Sequence, residues 1–157
     1  MKKEGKIRNV GFSTHAQAEV TSSLIARGDF DYLNLHHHFF GDYVVSGDGL
    51  NGSNIDNVRL AHEKDMRTFI ISPYDKGGRL HAPSDKLRDL TLPEFEPIEF
   101  GSLRLWHHSR MDTVAQSQPH TIVCGAAKPS DLDQPPHAAL NVYDSWLVGQ
   151  RTTYSVS

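Results

Sequence analysis

Several short polar groups in this chain stand where they could do chemistry. Gly11-Phe12-Ser13-Thr14 breaks a short strand and leads into a helical stretch, so Ser13 and Thr14 offer hydroxyls at a strand-to-helix turn. In α/β proteins that turn lies at the carboxyl end of a parallel sheet, where ligands bind. His36-His37-His38 closes a second strand, and His107-His108 sits in a later helical stretch. His36 and His38 share a face of an extended strand and could chelate a metal. The separated ligand pairs of zinc sites are missing, and no metal is expected. Cys124 is the single thiol. It falls inside the apolar run TIVC, which reads as a small core residue rather than a nucleophile. Asp75-Lys76-Gly77-Gly78 is a glycine-rich turn that could cradle a phosphate. Glu94, Glu96 and Glu99 are interleaved with prolines and read as a solvated loop. Tyr32, Tyr43 and Tyr74 are nearby phenols with no lysine–histidine pair evidently placed to tune them.

The elements that must hold these groups alternate. Apolar, branched runs predict strands at 9–13, 31–36, 68–72 and 121–124. Helices are expected at 16–27, capped by Ser13 and Thr14 and ended by Gly28 at C′, and at 55–65. Further helical pieces are expected at 84–90 and 98–108, as a short turn from Pro129 broken by Pro135-Pro136, and at 137–148. Residues 41–52 read as a surface loop, 80–97 as a surface wrap, and 149–157 as a frayed tail. Strands alternating with helices predict an α/β fold of parallel βα units in one domain over 1–157.

Composition narrows the classes. The 157 residues carry a formal charge of −3 and are 38% hydrophobic, which gives no reason to expect nucleic acid as a partner. No apolar run reaches the ~18–20 residues of a membrane span. One cysteine cannot form an internal disulfide, so a reducing, cytoplasmic compartment is expected.

Taken in order, GKIRNVGFSTH, DYLNLHHHF, TFIISPYDKGGRL and TIVCGAAKPSDLDQ resemble the fifth to eighth strands and following turns of the aldo/keto reductases, a TIM-barrel family. The resemblance runs from Gly5 to about Leu140. A full (β/α)₈ barrel needs about 250 residues, so what it implies here is a partial barrel of about four parallel strands with outer helices. It also implies an NADP(H) site. Ser13 matches a serine at the nicotinamide carboxamide, Thr14 stands where asparagine is usual, and Asn34 matches a Gln/Asn with the same duty. Ser72, Pro73 and Tyr74 match the seventh-strand turn near the pyrophosphate. Gly125, Ala127, Lys128, Asp131 and Gln134 fall in the loop that holds the adenosine 2′-phosphate. Departures accompany the match. Ile71 replaces the aromatic residue that stacks on the nicotinamide, and Asp131 stands where a basic or amide residue is expected, with Lys128 close enough to compensate. The family's catalytic Asp, Tyr, Lys and His belong to the second to fourth strands and have no counterpart, so no catalytic residue is expected. A half barrel leaves sheet edges and an inner apolar face, expected from Phe12, Leu33, Leu35 and Ile70, that another chain, a missing N-terminal half or a second copy would cover. The alternative is a non-catalytic binding or structural subunit derived from a reductase.

Overall fold

A computed structural model describes residues 1–38, 54–74, 80–111 and 119–149. The expected loop at 41–52, Tyr43, the Asp75–Gly78 turn and the tail beyond Gly149 lie outside the described residues. The four expected strands form one parallel sheet in sequential order: β1 (Gly11–Ser13), β2 (Tyr32–His36), β3 (Arg67–Ile71) and β4 (Thr121–Val123). Helix α1 (Ala18–Ala26) connects the first pair and α2 (Asn54–Glu63) the second. Helices α3 (Asp85–Thr91) and α4 (Pro97–Met111) precede β4, and α5 (Gln134–Gly149) follows it.

The register places Phe12 beside Leu33, Leu33 beside Thr68, Leu35 beside Ile70, and Ile70 beside Ile122. Leu33, Leu35 and Ile70 are fully buried and form one cluster with Ile25, Val58, Ala61, Met66 and Leu105, against which Phe12 and Ile122 also pack. Burying each such aliphatic side chain contributes about 1.5–3 kcal/mol. This corrects the expected inner face: Phe12, Leu33, Leu35 and Ile70 turn toward the helices. Side chains alternate across a strand, so the opposite face carries Ser13, Tyr32, Asn34, Phe69, Ile71 and Val123. Tyr32 and Phe69 meet edge-on there, with ring centroids 5.7 Å apart. Gly11 has no side chain because the Tyr32 ring occupies the place of its Cβ.

Local chemistry moves several boundaries. Thr14 Oγ1 accepts the Ala16 N–H at 3.0 Å, so it closes a turn before α1 rather than capping it. The N-cap of α1 is Gln17, without a side-chain cap. Gly28, with φ of +71°, is the expected C′ residue. At the end of α2 that left-handed position falls to Asp65, at φ of +54°, and Met66 N–H returns to Ala61 O at 2.8 Å. Ser84 caps α3 by accepting the Leu87 N–H. Pro135-Pro136 does not break a helix; both prolines lie in the first turn of α5, where backbone N–H groups need no helical acceptor. Leu80, expected on the surface, is buried with Tyr74 and Ile98 in a second cluster. Glu99 lies in α4, mostly buried, and accepts from Asn141 Nδ2 at 2.6 Å.

Buried amides fasten the first helices to the sheet. Asn57 donates to Ala18 O at 3.2 Å and accepts the Ser22 hydroxyl at 2.7 Å, joining α2 to α1. Asn54 Nδ2 donates to His36 O at 2.7 Å, which ties the end of β2 to the start of α2. No helix among the described residues is long and apolar enough to cross a membrane.

Candidate functional site

Parallel strands deliver their carboxyl ends to one side of the sheet, and the chain leaves β3 and β4 there through two turns. At the end of β3, Ser72 takes φ of +52°, a region rare for residues other than glycine. Pro73 and Tyr74 follow. At the end of β4, Cys124 is the first residue past the strand and leads into Gly125-Ala126-Ala127. Between the two turns lies a cavity of about 550 Å³, lined by Ser72, Pro73, Tyr74, Val123, Cys124 and Gly125–Ala127, with His81 on its wall. Its volume is within the ~300–1,000 Å³ of small-molecule sites.

The polar groups at this cavity form two connected sets. Ser102 Oγ donates to Ile98 O at 3.0 Å. Its one proton is thereby used, so the Tyr74 hydroxyl donates to Ser102 Oγ at 2.8 Å. The same hydroxyl meets Cys124 Sγ at 3.1 Å, and that thiol donates to Ile122 O at 3.8 Å. Burial, reinforced by that thiol, holds Tyr74 protonated well above the usual phenol range. Burial also pushes the Cys124 thiol up, although the Tyr74 bond pulls against it. Cys124 is partly buried, packing against the second apolar cluster while it also lines the cavity.

The second set centres on Asp131, in the 3₁₀ turn Pro129–Leu132. Its Oδ2 accepts the Ala127 N–H at 2.9 Å, the Lys128 N–H at 3.1 Å and His81 Nδ1 at 3.2 Å. Burial opposes its charge, but the two amides and His81 outweigh that and hold the carboxyl below its ordinary range. The Tyr74 ring meets the His81 ring edge-on at 5.8 Å, so the two sets touch.

The residues expected at a cofactor site are thus divided. Ser72, Pro73, Tyr74, Gly125 and Ala127 surround the cavity. Ser13 and Asn34 are partners in register on the opposite half of the sheet, on the face away from the helices, and they do not line the cavity. Lys128 is exposed and supplies its amide to Asp131. Asp131 spends its carboxylate inside the turn, and Gln134 Oε1 accepts the Ile98 N–H at 3.1 Å, joining the start of α5 to α4. His36 and His38 are buried with rings 5.4 Å apart, and His15 approaches His36 at 6.1 Å. Among the described residues no group of three ligating side chains could hold a metal. Sequence reasoning missed His81 and Ser102. His81 stands between Leu80 and Ala82 with no motif around it, and its partner is 50 residues away.

At the amino ends of the strands a second cavity, about 430 Å³, is lined by Asn9, Asp31, Tyr32, Asp65, Arg67 and Phe69. Asp31 accepts from Val10 N–H and pairs with Lys2, which fastens the N-terminal turn over that end.

No protein-family model, no curated protein and no solved structure matches this chain.

Proposed function

We propose that the chain is the carboxyl-terminal half of a (β/α) barrel of the aldo/keto reductase kind, retaining positions that face a nicotinamide dinucleotide and lacking the groups that reduce a carbonyl. The observation that carries this reading is the one-sided winding. Helices α1, α2 and α4 contribute Ile25, Val58, Ala61 and Leu105 to a single cluster on one face of a sequentially ordered parallel sheet. A doubly wound sheet places helices on both faces; a barrel segment keeps them all outside. Its inner face then bears Ser13 and Asn34 side by side, an hydroxyl and an amide suited to a carboxamide. The cavity beyond β3 and β4 accepts the remainder of the dinucleotide across the strand ends.

Affinity for NADP(H) is weak on this reading. Ile71 gives no aromatic stacking, and the Ala127 and Lys128 amides are committed to Asp131. Lys128, exposed beside that turn, is a cation suited to meet the 2′-phosphate. Calorimetric titration with NADPH tests this: weak heats reduced by Ser13→Ala, Asn34→Ala and Lys128→Ala support it, and tight binding insensitive to all three refutes it.

The occupied amides also favour a second reading, a non-catalytic subunit that kept the half-barrel scaffold and lost the nucleotide. The absence of any heat with NADPH, together with a stable complex with a companion chain carrying the other strands, selects that reading.

A further inference from the structure

The cavity at the amino ends of the strands plays no part in the dinucleotide reading, and its lining joins both signs of charge to an aromatic wall. Tyr32 and Arg67 are cross-strand partners where β2 and β3 begin. Phe69 shares a strand face with Arg67, and its ring meets that of Tyr32 edge-on. Of the two carboxylates, Asp31 is engaged: it accepts the Val10 N–H at 2.8 Å and pairs with Lys2. Asp65 is exposed at the cavity and makes no ion pair among the described residues.

Arg67 stands in a hydrogen-bond conflict that an outside acceptor resolves. Its Nη1 lies 2.9 Å from His120 Nε2. Thr68 N–H points at Nδ1 of the same ring from 3.1 Å. A neutral imidazole has one donor nitrogen and one acceptor. With Nδ1 accepting from the fixed backbone, Nε2 carries the proton and meets the guanidinium donor to donor. Moving the proton to Nδ1 only transfers the conflict to Thr68. The ring is held in place by His62, stacked on it at 4.6 Å, and by the His120 N–H bond to Thr68 Oγ1 at 3.2 Å. An anionic oxygen beside Nη1 and Nε2 accepts from both, and its charge strengthens each bond.

We propose that this cavity binds a free α-amino acid as its zwitterion, with Arg67 and His120 Nε2–H taking the carboxylate, Asp65 taking the ammonium, and an apolar side chain lying on the Tyr32 and Phe69 rings. A lone anion would leave Asp65 facing it unmatched, and a lone cation would meet Arg67; a zwitterion answers both. Asp65 sits at φ of +54°, a backbone that glycine adopts at less cost, so the chain places a carboxylate at the cavity against the local preference. The ring faces also attract an ammonium. The volume of about 430 Å³ lies within the ~300–1,000 Å³ of small-molecule sites. No bond is made or broken, and the proposal stands whether or not a dinucleotide binds at the other end of the strands.

The probes are L-phenylalanine, 3-phenylpropionate, which lacks the ammonium, and 2-phenylethylamine, which lacks the carboxylate. Each is titrated into the full chain at pH 7 while backbone amide resonances are followed by NMR. Phenylalanine should shift the Arg67 and Thr68 amides saturably, and each analogue should bind about tenfold or more weakly, the scale of one charge-assisted bond. Asp65→Asn, which keeps a residue tolerant of the left-handed backbone, should erase the advantage of phenylalanine over phenylpropionate. Arg67→Gln should erase its advantage over phenylethylamine. Circular dichroism checks that both variants are folded; should either unfold, the three ligands compared on wild type decide. The absence of a saturable shift, equal affinity for the three ligands, shifts confined to the Gly125–Ala127 turn, or folded variants that keep the wild-type ratios each overturn the proposal.

Discussion

The carboxylate of Asp131 accepts the backbone N–H of Ala127 at 2.9 Å, and so an anion from the chain itself fills the turn after β4. The same oxygen takes the Lys128 amide and His81. The folded state holds this carboxyl below its ordinary range, so the bonds stabilise the fold above that range and are lost as acid protonates it. Lowering the pH through about 4 and below should therefore drop the melting temperature of wild type more steeply than that of Asp131→Asn. At pH 7 the variant should melt lower than wild type. Thermal scans between pH 7 and 3 provide the check, and parallel curves for the two proteins contradict it.

Tyr74 links the thiol of Cys124 to Ser102 inside the second apolar cluster. Phenylalanine keeps the ring and removes one donor and one acceptor. Ser102 can still donate to Ile98 O, so the loss falls on the Tyr74–Ser102 and Tyr74–Cys124 bonds. Tyr74→Phe should lower unfolding free energy by about 1–3 kcal/mol, the cost of buried groups losing their partner. Urea unfolding should show a lower midpoint with an unchanged slope.

His120 is pulled the other way from a paired histidine. Burial first, then neighbouring His62 and Arg67, depress its basicity in the fold. Thr68 N–H donates to its Nδ1 at 3.1 Å, a bond that a protonated ring cannot accept. A group whose folded pKa lies below its unfolded value, about 6.5 for histidine, stabilises while neutral and loses that contribution as pH falls below the unfolded value. His120→Gln should flatten the decline in stability between pH 7 and 5.5, a window separate from that of Asp131.

The sequence carried the element order well and the facing of the strands poorly. Runs such as FDYLNL and TFII are apolar at both parities, so alternation could not say whether Leu33 and Ile70 faced helices or a barrel interior. The answer came from Ile25, Val58 and Leu105, which lie far apart in the chain and meet only on folding. Pro135-Pro136 misled because a proline pair reads as a break unless the helix start is known. Of the expected site, the turn residues Ser72, Pro73, Tyr74, Gly125 and Ala127 were legible because they end strands. The Asp131–His81 pairing depends on two loops and left no local trace.

The face of the sheet away from the helices bears partly exposed Tyr32, Phe69 and Ile71, and Val123 on β4 is 49% exposed. Among the described residues β1 and β4 are the sheet edges. Unpaired edges beside apolar surface invite association. Light scattering at concentrations on the order of 10⁻⁵ M should therefore give a mass above that of one chain. Val123→Lys, which puts a charge on the β4 edge, should bring it down. A monodisperse monomer for both proteins would falsify the half-barrel account of this face.

The chain alone should not reduce carbonyls. Hydride transfer belongs to the cofactor, but a developing alkoxide needs a positioned proton donor. The hydroxyls of Ser13 and Ser72 and the amide of Asn34 are too weakly acidic for that task. Tyr74, the phenol nearest the cavity, is held protonated by burial and donates into Ser102 rather than toward a ligand. General acid catalysis is worth roughly 10²–10⁴-fold, and oxyanion stabilisation a comparable factor, so losing both leaves no measurable turnover. The main route to activity would use His36 and His38 as surrogate acids; their rings lie together at the end of β2. The measurement is NADPH oxidation with a panel of saturated aldehydes. Turnover by the chain alone that disappears in His36→Ala or His38→Ala refutes the prediction. Turnover only after a chain bearing the missing strands is added shows that the reductase machinery is split between two polypeptides.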